Sequence, residues 1–331
     1  MLYNHTEDMM SRTLLPASLA AALIGGSALA QAPSVAVDIA PVHSLVARVM
    51  QGVGTPDLIV QPGASPHQYA LRPSEARGLQ EADLVFWVSA GLTPWLDGAI
   101  ETLAADASVT ELLESDGTVT LDFREGALFE KHVHSGEAHD DHAEEEHDDH
   151  TEHDDHAGHD HDKHDPHAWL SPQNASNWMN VVAAQLSAAD PENAGIYFAN
   201  AAAGRVEIAT MITEVNTMLE PLRGNRFIVF HDAYQYFETD FDFPAAGAIS
   251  ISDASDPSPA RIAEIRERIA AEDINCVLAE PQFNPGLAAT VLDGSNADTA
   301  VIDPMGSDLE IGPALYLQLI RNLATSLAKC L

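Results

Sequence analysis

The stretch DPENAGIYFANAAAGRVEIATMITEVNTMLE, residues 190–220, decides the architecture of this chain. Asp190 is a good helix N-cap, Pro191 suits the first helical position, and nothing before Pro221 stops the helix. About thirty helical residues would span about 45 Å, enough to reach from one lobe of a protein to another. Eight residues recur at the mixed three- and four-residue spacing of a helix: Ile196, Ala199, Ala203, Val206, Thr210, Ile212, Val215 and Leu219.

Strand-like and helical segments alternate on both sides of this helix. We predict strands at 34–39, 57–60, 84–88, 227–230, 276–278 and 300–302. We predict helices at 43–53, from residue 73, and at 259–271, 286–292 and 313–327. The alternation indicates an α/β fold with two lobes, each a mostly parallel sheet flanked by helices. The N-terminal lobe is expected at 31–190, the linking helix at 191–221 and the C-terminal lobe at 222–331.

The N-terminus has the pattern of an export signal. Arg12 precedes an apolar stretch at 14–24, and Ala28-Leu29-Ala30 matches a cleavage site before Gln31. The apolar stretch is shorter than the roughly 20 residues that cross a membrane. We therefore expect a signal peptide at 1–30 and a secreted protein without membrane insertion.

The composition of the chain limits the kinds of molecule that it can bind. The 331 residues carry a formal charge of −36, which disfavours nucleic acid and anionic membranes and suits a cation. A hydrophobic fraction of 46% is enough for a sizeable core. The two cysteines, Cys276 and Cys330, are too few for a Cys-based zinc finger, but they can pair in an oxidising compartment.

Eleven of the 16 histidines fall in one low-complexity segment, residues 131–165, which also holds 14 carboxylates and two lysines. With so few apolar residues it is expected to be a disordered loop. We expect its imidazoles to form an accessory, low-affinity metal loop; the alternative is a solvated tether with incidental metal affinity. These histidines are His132, His134, His139, His142, His147, His150, His153, His156, His159, His161 and His164.

Four other residues are candidate metal ligands. His67 lies in PGASPHQYALRPS, His167 in DPHAWLSP, His231 in FIVFHDAYQYF and Asp303 in AVIDPMG. Two come from each half of the chain, so a metal between the lobes is geometrically natural. Neutral imidazoles with one carboxylate suit Zn²⁺, whereas Mn²⁺ prefers more oxygen. His43 is expected to be structural.

Six motifs occur in an order typical of a known family: PGASPHQYALRPS, LQEADLVFWVSAGLTPWL, DPHAWLSP, FHDAYQYF, LAEPQFNP and VIDPMG. Over nearly all of the chain after residue 30, the sequence resembles the periplasmic metal receptors of ABC transporters, in their zinc-uptake, ZnuA-type branch. The resemblance implies two α/β lobes joined by one long helix, with the metal in the cleft. It implies transport of Zn²⁺ in the periplasm and delivery to a membrane permease, without enzymatic activity. We expect a monomer.

The resemblance also assigns residues. It maps three histidine ligands onto His67, His167 and His231, and makes Asp303 either the fourth ligand or a neighbour of a site completed by water. It places Glu280 at the lining of the site rather than on the metal. It further implies a disulfide between the two cysteines of the chain.

Two other functions remain open. One is a manganese receptor or adhesin of the same fold, although members of that kind typically have Glu where this chain has His231. The other is an exported zinc enzyme, because three histidines and one weak position also form a hydrolytic zinc site.

Overall fold

The computed structural model describes residues 32–124, 164–250 and 257–331 apart from residue 284, together with residues 1, 126 and 129. The predicted signal peptide, except residue 1, lies outside the described residues. So do ten of the eleven histidines of the predicted metal loop, all but His164.

The N-terminal lobe contains four parallel strands in the order β2-β1-β3-β4. The strands are β1 Val35–Val37, β2 Asp57–Leu58, β3 Leu84–Trp87 and β4 Ser108–Glu111. The helices are α1 Ala40–Val49, α2 Pro73–Gln80 and α3 Pro94–Leu103. Each helix has proline in its first two positions, where a missing N–H costs nothing. The strands β1 and β3 are buried throughout, as a parallel sheet covered on both faces requires.

Two long helices follow, α4 Pro172–Ala189 and α5 Ala194–Leu219. Short 3₁₀ turns at Pro191–Asn193 and Glu220–Leu222 extend α5 at both ends, so helical backbone covers the predicted linking segment. The helix α5 packs against α4 and α1 of the N-terminal part and against the C-terminal helix of the chain. A helix that contacts both ends of the chain holds them together, as its length suggested.

The buried face of α5 matches the three- and four-residue spacing seen in the sequence only near the C-terminal end of the helix. Val206 is 67% exposed and Ile196 is 43% exposed, and Ala199, Ala203 and Thr210 are exposed as well. The residues that are buried are Tyr197, Ala201, Gly204, Ile208, Met211, Val215 and Leu219. Small apolar residues surround this helix on nearly every side, so spacing alone could not select the face that packs.

Gly204 shows how closely α5 approaches its neighbour. A Cβ at this position would collide with the terminal methyl of Met179, on α4. Glycine weakens a helix interior by about 1 kcal/mol relative to alanine. Here it allows two helix backbones to pack around the Met179 side chain.

The C-terminal lobe repeats the first sheet, with four parallel strands in the order β6-β5-β7-β8. They are β5 Phe227–His231, β6 Ala248–Ser250, β7 Cys276–Ala279 and β8 Asp298–Val301. The helices are α6 Gln235–Phe241, α7 Pro259–Ala271, α8 Pro285–Leu292 and α9 Leu315–Cys330. The two-lobed α/β fold is confirmed. The elements β4, β6, α3, α4 and α6 were not anticipated from the sequence.

A disulfide joins Cys276, at the start of β7, to Cys330, at the end of α9, with a Cα–Cα distance of 5.6 Å. The implied pairing is therefore present in the structure. It ties the last helix to a central strand across a sequence separation of 54. Among the described residues, no helix is both long enough and apolar enough to cross a membrane.

Candidate metal centre

Three histidines from distant parts of the chain lie close together. His67 lies in the loop between β2 and α2, His167 lies directly before the 3₁₀ turn Ala168–Leu170, and His231 is the last residue of β5. The ring centroids of His67 and His167 are 5.7 Å apart, and those of His167 and His231 are 5.3 Å apart. The structure thus brings together residues that are separated by more than 160 positions in the sequence.

These spacings are close to those of a zinc site. With Zn–N bonds of 2.0–2.1 Å and tetrahedral angles, the centroids of two ligating rings lie about 5 Å apart. Within the parts of the chain that the structure describes, no group of three or more His, Cys, Asp or Glu side chains is arranged so that it could hold a metal ion as it stands. The rings therefore have to rotate or move inward slightly to share one ion.

The loop that carries His67 is held by local contacts. Gly63 adopts φ +79°, a left-handed conformation that turns the chain. The indole of Trp95, on α3, donates a hydrogen bond of 2.7 Å to the carbonyl of Pro66, directly before the histidine. The Tyr69 hydroxyl donates to Glu75 at 2.8 Å. Contacts on both sides thus fix the backbone of His67.

A buried carboxylate orients His167. Asp165 Oδ1 lies 2.6 Å from Nδ1 of His167 and also accepts the His167 main-chain N–H at 3.0 Å. If the proton is on Nδ1, the lone pair of the ring is on Nε2, which is the tautomer a metal ligand needs. Burial raises the pKa of Asp165 to about 7, and the hydrogen bond from His167 and the charge of Arg124 oppose that rise.

A second carboxylate orients His231 in the same way. Glu280 Oε1 lies 2.6 Å from Nδ1 of His231 and accepts its main-chain N–H at 3.3 Å. The other oxygen, Oε2, accepts a hydrogen bond of 2.9 Å from the Gln282 amide. The Glu280 side chain is fully buried and points at the ring. Glu280 thus contacts the ring of a predicted ligand through Nδ1.

Asp303 lies beside the site but also organises its own turn. Its carboxylate accepts the main-chain N–H groups of Met305, Gly306 and Ser307 at 2.9, 3.0 and 2.6 Å. A carboxylate has about four lone-pair positions, so about one is left for a metal or a water. The charge of Asp303 reaches Tyr234, whose ring neighbours His231.

An ion cluster next to the histidines was not anticipated from the sequence. Arg124 donates through Nε and Nη2 to both oxygens of Asp232, the residue after His231. It also donates to Glu238 on α6, through Nη1 at 2.9 Å and Nη2 at 3.1 Å. Burial raises the pKa of Asp232 to about 6, and the Arg124 charge opposes that rise. The cluster links the segment after β4 to the C-terminal lobe.

The predicted 131–165 loop ends on the folded body. His164 Nδ1 lies 3.0 Å from Oδ1 of Asp122, at the protein surface. Asp165, which the sequence placed in the loop, is 1% exposed and belongs to the site. A signal was available, because a ligand histidine usually has a carboxylate partner and Asp165 stands two residues before His167. His43 is structural in its contacts, with Nε2 3.0 Å from the carbonyl of Pro56.

The model of the family described as "ZnuA: Zinc-uptake complex component A periplasmic" matches residues 35–330. This chain belongs to the ZnuA family. The high-affinity zinc uptake system protein ZnuA of Brucella abortus (strain 2308) is 44% identical over 324 residues, which are 96% of this chain and 97% of that protein. The ZnuA of Paracoccus denitrificans (strain Pd 1222) is 43% identical over 321 residues, 96% of this chain and 98% of that protein.

Solved structures share the fold of this ZnuA family member. A crystal structure of ZnuA superimposes with a TM-score of 0.70 at 20% identity, covering 90% of this chain and 99% of that one. The laminin-binding protein Lmb of Streptococcus agalactiae, described as having adhesin and metal-transporting activity, also gives 0.70 at 20% identity, covering 91% and 99%. The binding protein FpvC of Pseudomonas aeruginosa, in complex with Mn²⁺, gives 0.70 at 18%, covering 89% and 97%. These likenesses concern the fold alone.

Proposed function

We propose that this protein is the receptor of a zinc uptake system, which captures Zn²⁺ between its lobes and passes it to a membrane permease. One observation carries the proposal: three imidazoles from distant parts of the chain come together, with the ring centroid of His167 5.7 Å from that of His67 and 5.3 Å from that of His231. Two of them, His167 and His231, have a buried carboxylate on Nδ1. Such partners fix the tautomer and orientation of a metal ligand.

The ligand set favours zinc over manganese. His67, His167 and His231 offer nitrogen, and the only oxygen ligand we propose is Asp303 or a water in its place. Three imidazoles with one oxygen form a common zinc site, whereas manganese prefers mostly oxygen. The fold does not distinguish zinc from manganese, since it is shared with a protein whose structure contains Mn²⁺. The names of the relatives at 43–44% identity support zinc.

The contacts of the buried carboxylates near the histidines fit a metal receptor better than a zinc enzyme. A hydrolytic zinc site needs a general base beside the metal-bound water. Asp165 and Glu280 are the carboxylates that contact the rings of the proposed ligands, and each makes a short hydrogen bond with a histidine Nδ1. We infer that they position the ligands and do not exchange protons with a substrate.

The family supports a proposal for the location and the partner of this protein. We propose that the signal peptide at 1–30 directs the protein to the periplasm, where it acts as a monomer and docks on the permease. We propose further that the histidines of 132–164 form an accessory, low-affinity zinc loop. The loop leaves the folded body next to the cleft, because His164 precedes Asp165 and His167 by only a few residues.

Calorimetric zinc titration tests the cleft assignment. Single variants H67A, H167A and H231A are expected to lose the tight site. The control is H164A, which removes a histidine that also has a carboxylate partner but lies outside the cleft. Tight binding that survives in a variant lacking both His67 and His231 would overturn the proposal.

The same titration tests the loop. A variant without residues 132–164 is expected to keep one tight site and to lose only weak binding. If the tight site disappeared with the loop, the loop itself would be the receptor and the cleft assignment would be wrong.

A further inference from the structure

Trp169 joins the segment that carries His167 to the C-terminal lobe. The residue is 1% exposed, and its indole ring lies against the His167 ring, with centroids 5.3 Å apart and an angle of 53° between the planes. Its indole N–H donates a hydrogen bond of 2.9 Å to the carbonyl of Pro304, 135 residues further along the chain. One side chain therefore contacts both a predicted ligand ring and the main chain directly after Asp303.

The turn that receives this hydrogen bond is closed by its own contacts. The Asp303 carboxylate accepts the main-chain N–H groups of residues 305–307, at 2.9, 3.0 and 2.6 Å. The carbonyl of Pro304 thus belongs to a turn that is fixed on both sides. A hydrogen bond to such a turn holds the indole in place.

The main chain of Trp169 is held as well. Its carbonyl accepts a hydrogen bond of 2.9 Å from the hydroxyl of Tyr316, on α9. The main-chain N–H of Tyr316 in turn donates to Ser44 Oγ, on α1, at 3.0 Å. Packing and hydrogen bonds that lock a side chain in this way are what a precisely placed site needs. The indole ring is therefore a rigid surface beside His167.

A rigid surface supplies what the carboxylate on His167 does not. Asp165 Oδ1 lies 2.6 Å from Nδ1 and so fixes which nitrogen faces away from it. A single hydrogen bond at Nδ1 still allows the ring to tilt about that bond. The indole ring at 5.3 Å limits this tilt, and the tilt decides where Nε2 points.

We propose that Trp169 is a positioning residue for the metal site. Its indole ring sets the tilt of the His167 ring, so that the Nε2 lone pair points at the ion in the cleft. The hydrogen bond to Pro304 keeps the indole where it does this. The inference rests on the proposed zinc function and adds a second group that orients His167, beside Asp165.

The test is Trp169→Phe, followed by zinc titration and by urea unfolding of the metal-free protein. Phenylalanine is smaller and has no N–H, so it loses the hydrogen bond to Pro304 and lets the His167 ring tilt. We expect the zinc Kd to rise about 10–100-fold, the range for groups that orient metal ligands. A folded variant with a Kd within twofold of the wild type would overturn the proposal.

Trp178→Phe is the matched control. Trp178, on α4, is also fully buried, and its indole N–H donates a hydrogen bond of 3.0 Å to Thr118 Oγ1, inside the N-terminal lobe. Both variants should lower the urea midpoint, but only Trp169→Phe should raise the zinc Kd. An equal rise in Kd in the two variants would show a general loss of packing and would overturn the proposal.

A double variant with His167→Ala tests the route of the effect. If Trp169 acts through the His167 ring, Trp169→Phe should change the residual zinc affinity of His167→Ala by less than twofold, because the group that it orients is already absent. Affinity losses that add in the double variant would contradict a role through His167.

Tyr316→Phe provides a milder change if Trp169→Phe does not fold. It removes only the hydroxyl that holds the Trp169 carbonyl, and it should raise the zinc Kd more than twofold. Its control is Tyr197→Phe, which also removes a buried hydroxyl, one that donates to Asp190 at 2.8 Å. Equal Kd values in these two variants would overturn the proposal.

His231→Ala separates this inference from the proposed function. Loss of the tight site in His231→Ala, with a Kd for Trp169→Phe within twofold of the wild type, would overturn the inference and leave the receptor assignment in place. A tight site that persists in His231→Ala would overturn both.

Discussion

Replacing Asp165 with asparagine is expected to weaken zinc binding 10–100-fold without unfolding the protein. The wild-type carboxylate accepts two hydrogen bonds from His167, at 2.6 Å from Nδ1 and 3.0 Å from the main chain. Asparagine can still accept with its oxygen, but it loses the charge, and charge-assisted hydrogen bonds are roughly twice as strong as neutral ones. The expected loss corresponds to about 1.4–2.8 kcal/mol of binding free energy.

A series at this position separates orientation from stability. Because burial raises the pKa of Asp165 to about 7, a neutral amide is tolerated there and Asp165→Asn should remain folded. Asp165→Ala removes the acceptor entirely, so the main-chain N–H and the Nδ1–H of His167 both lose their partner. Each unpaired buried donor costs about 1–3 kcal/mol of stability. The alanine variant should therefore bind zinc more weakly than the asparagine variant and also unfold at lower denaturant concentration.

The assay is a competition titration against a chromogenic zinc chelator, combined with urea unfolding of the metal-free protein. Asp122→Asn serves as the control, since Asp122 also partners a histidine, His164 at 3.0 Å, but at the surface. The control should bind zinc as the wild type does. The reasoning fails if folded Asp165→Asn binds zinc within twofold of the wild type.

Three further predictions concern stability, each measured by urea unfolding of the metal-free protein. Arg124→Ala should lower the free energy of unfolding by about 3–5 kcal/mol, because it leaves two buried carboxylates without their cation. The control Arg48→Ala breaks a more exposed ion pair and should lower it by about 1 kcal/mol or less. Equal losses in the two variants would contradict this account. Burial raises the pKa of Asp38 to about 7, above its value in the unfolded chain. The contribution of Asp38 to the free energy of unfolding therefore falls as the pH rises from about 4 to 7, by at most about 4 kcal/mol. Asp38→Asn should make the fall in stability between about pH 4 and 7 shallower, and an unchanged pH profile would argue against this role of Asp38. Replacing Cys276 and Cys330 with serine should cost about 2–5 kcal/mol, and a reductant that destabilises the double variant as much as the wild type would exclude the disulfide as the cause.

Much of the fold could be predicted because the signals are local. The helix α7, Pro259–Ala271, was predicted at its observed bounds, and its Ser258 side chain accepts the N–H of Arg261 as a cap should. Buried strands such as Leu84–Trp87 were predicted within a residue or two, since their apolar runs allow few alternatives. Short or half-exposed strands such as Ser108–Glu111 have no such pattern and were missed.

The candidate site was only partly predictable. His67, His167 and His231 were singled out by their motifs, and the structure brings them together. The partners of the ligands were harder to recognise, because Glu280 is 49 residues from the histidine it orients. Asp165 was assigned to the loop, since a carboxylate at the end of an acidic run has no distinguishing local feature.

The sequence by itself determined much of the secondary structure, the residue types of the candidate site and the family. Local propensity, capping residues and ordered motifs depend on neighbours in the chain, so they are visible without coordinates. Only the tertiary structure decided the buried face of α5, the pairing of Arg124 with Asp232 and the contact of Glu280 with His231. These features depend on which distant surfaces pack together, and in a chain this rich in alanine and acidic residues many pairings satisfy the local pattern equally well.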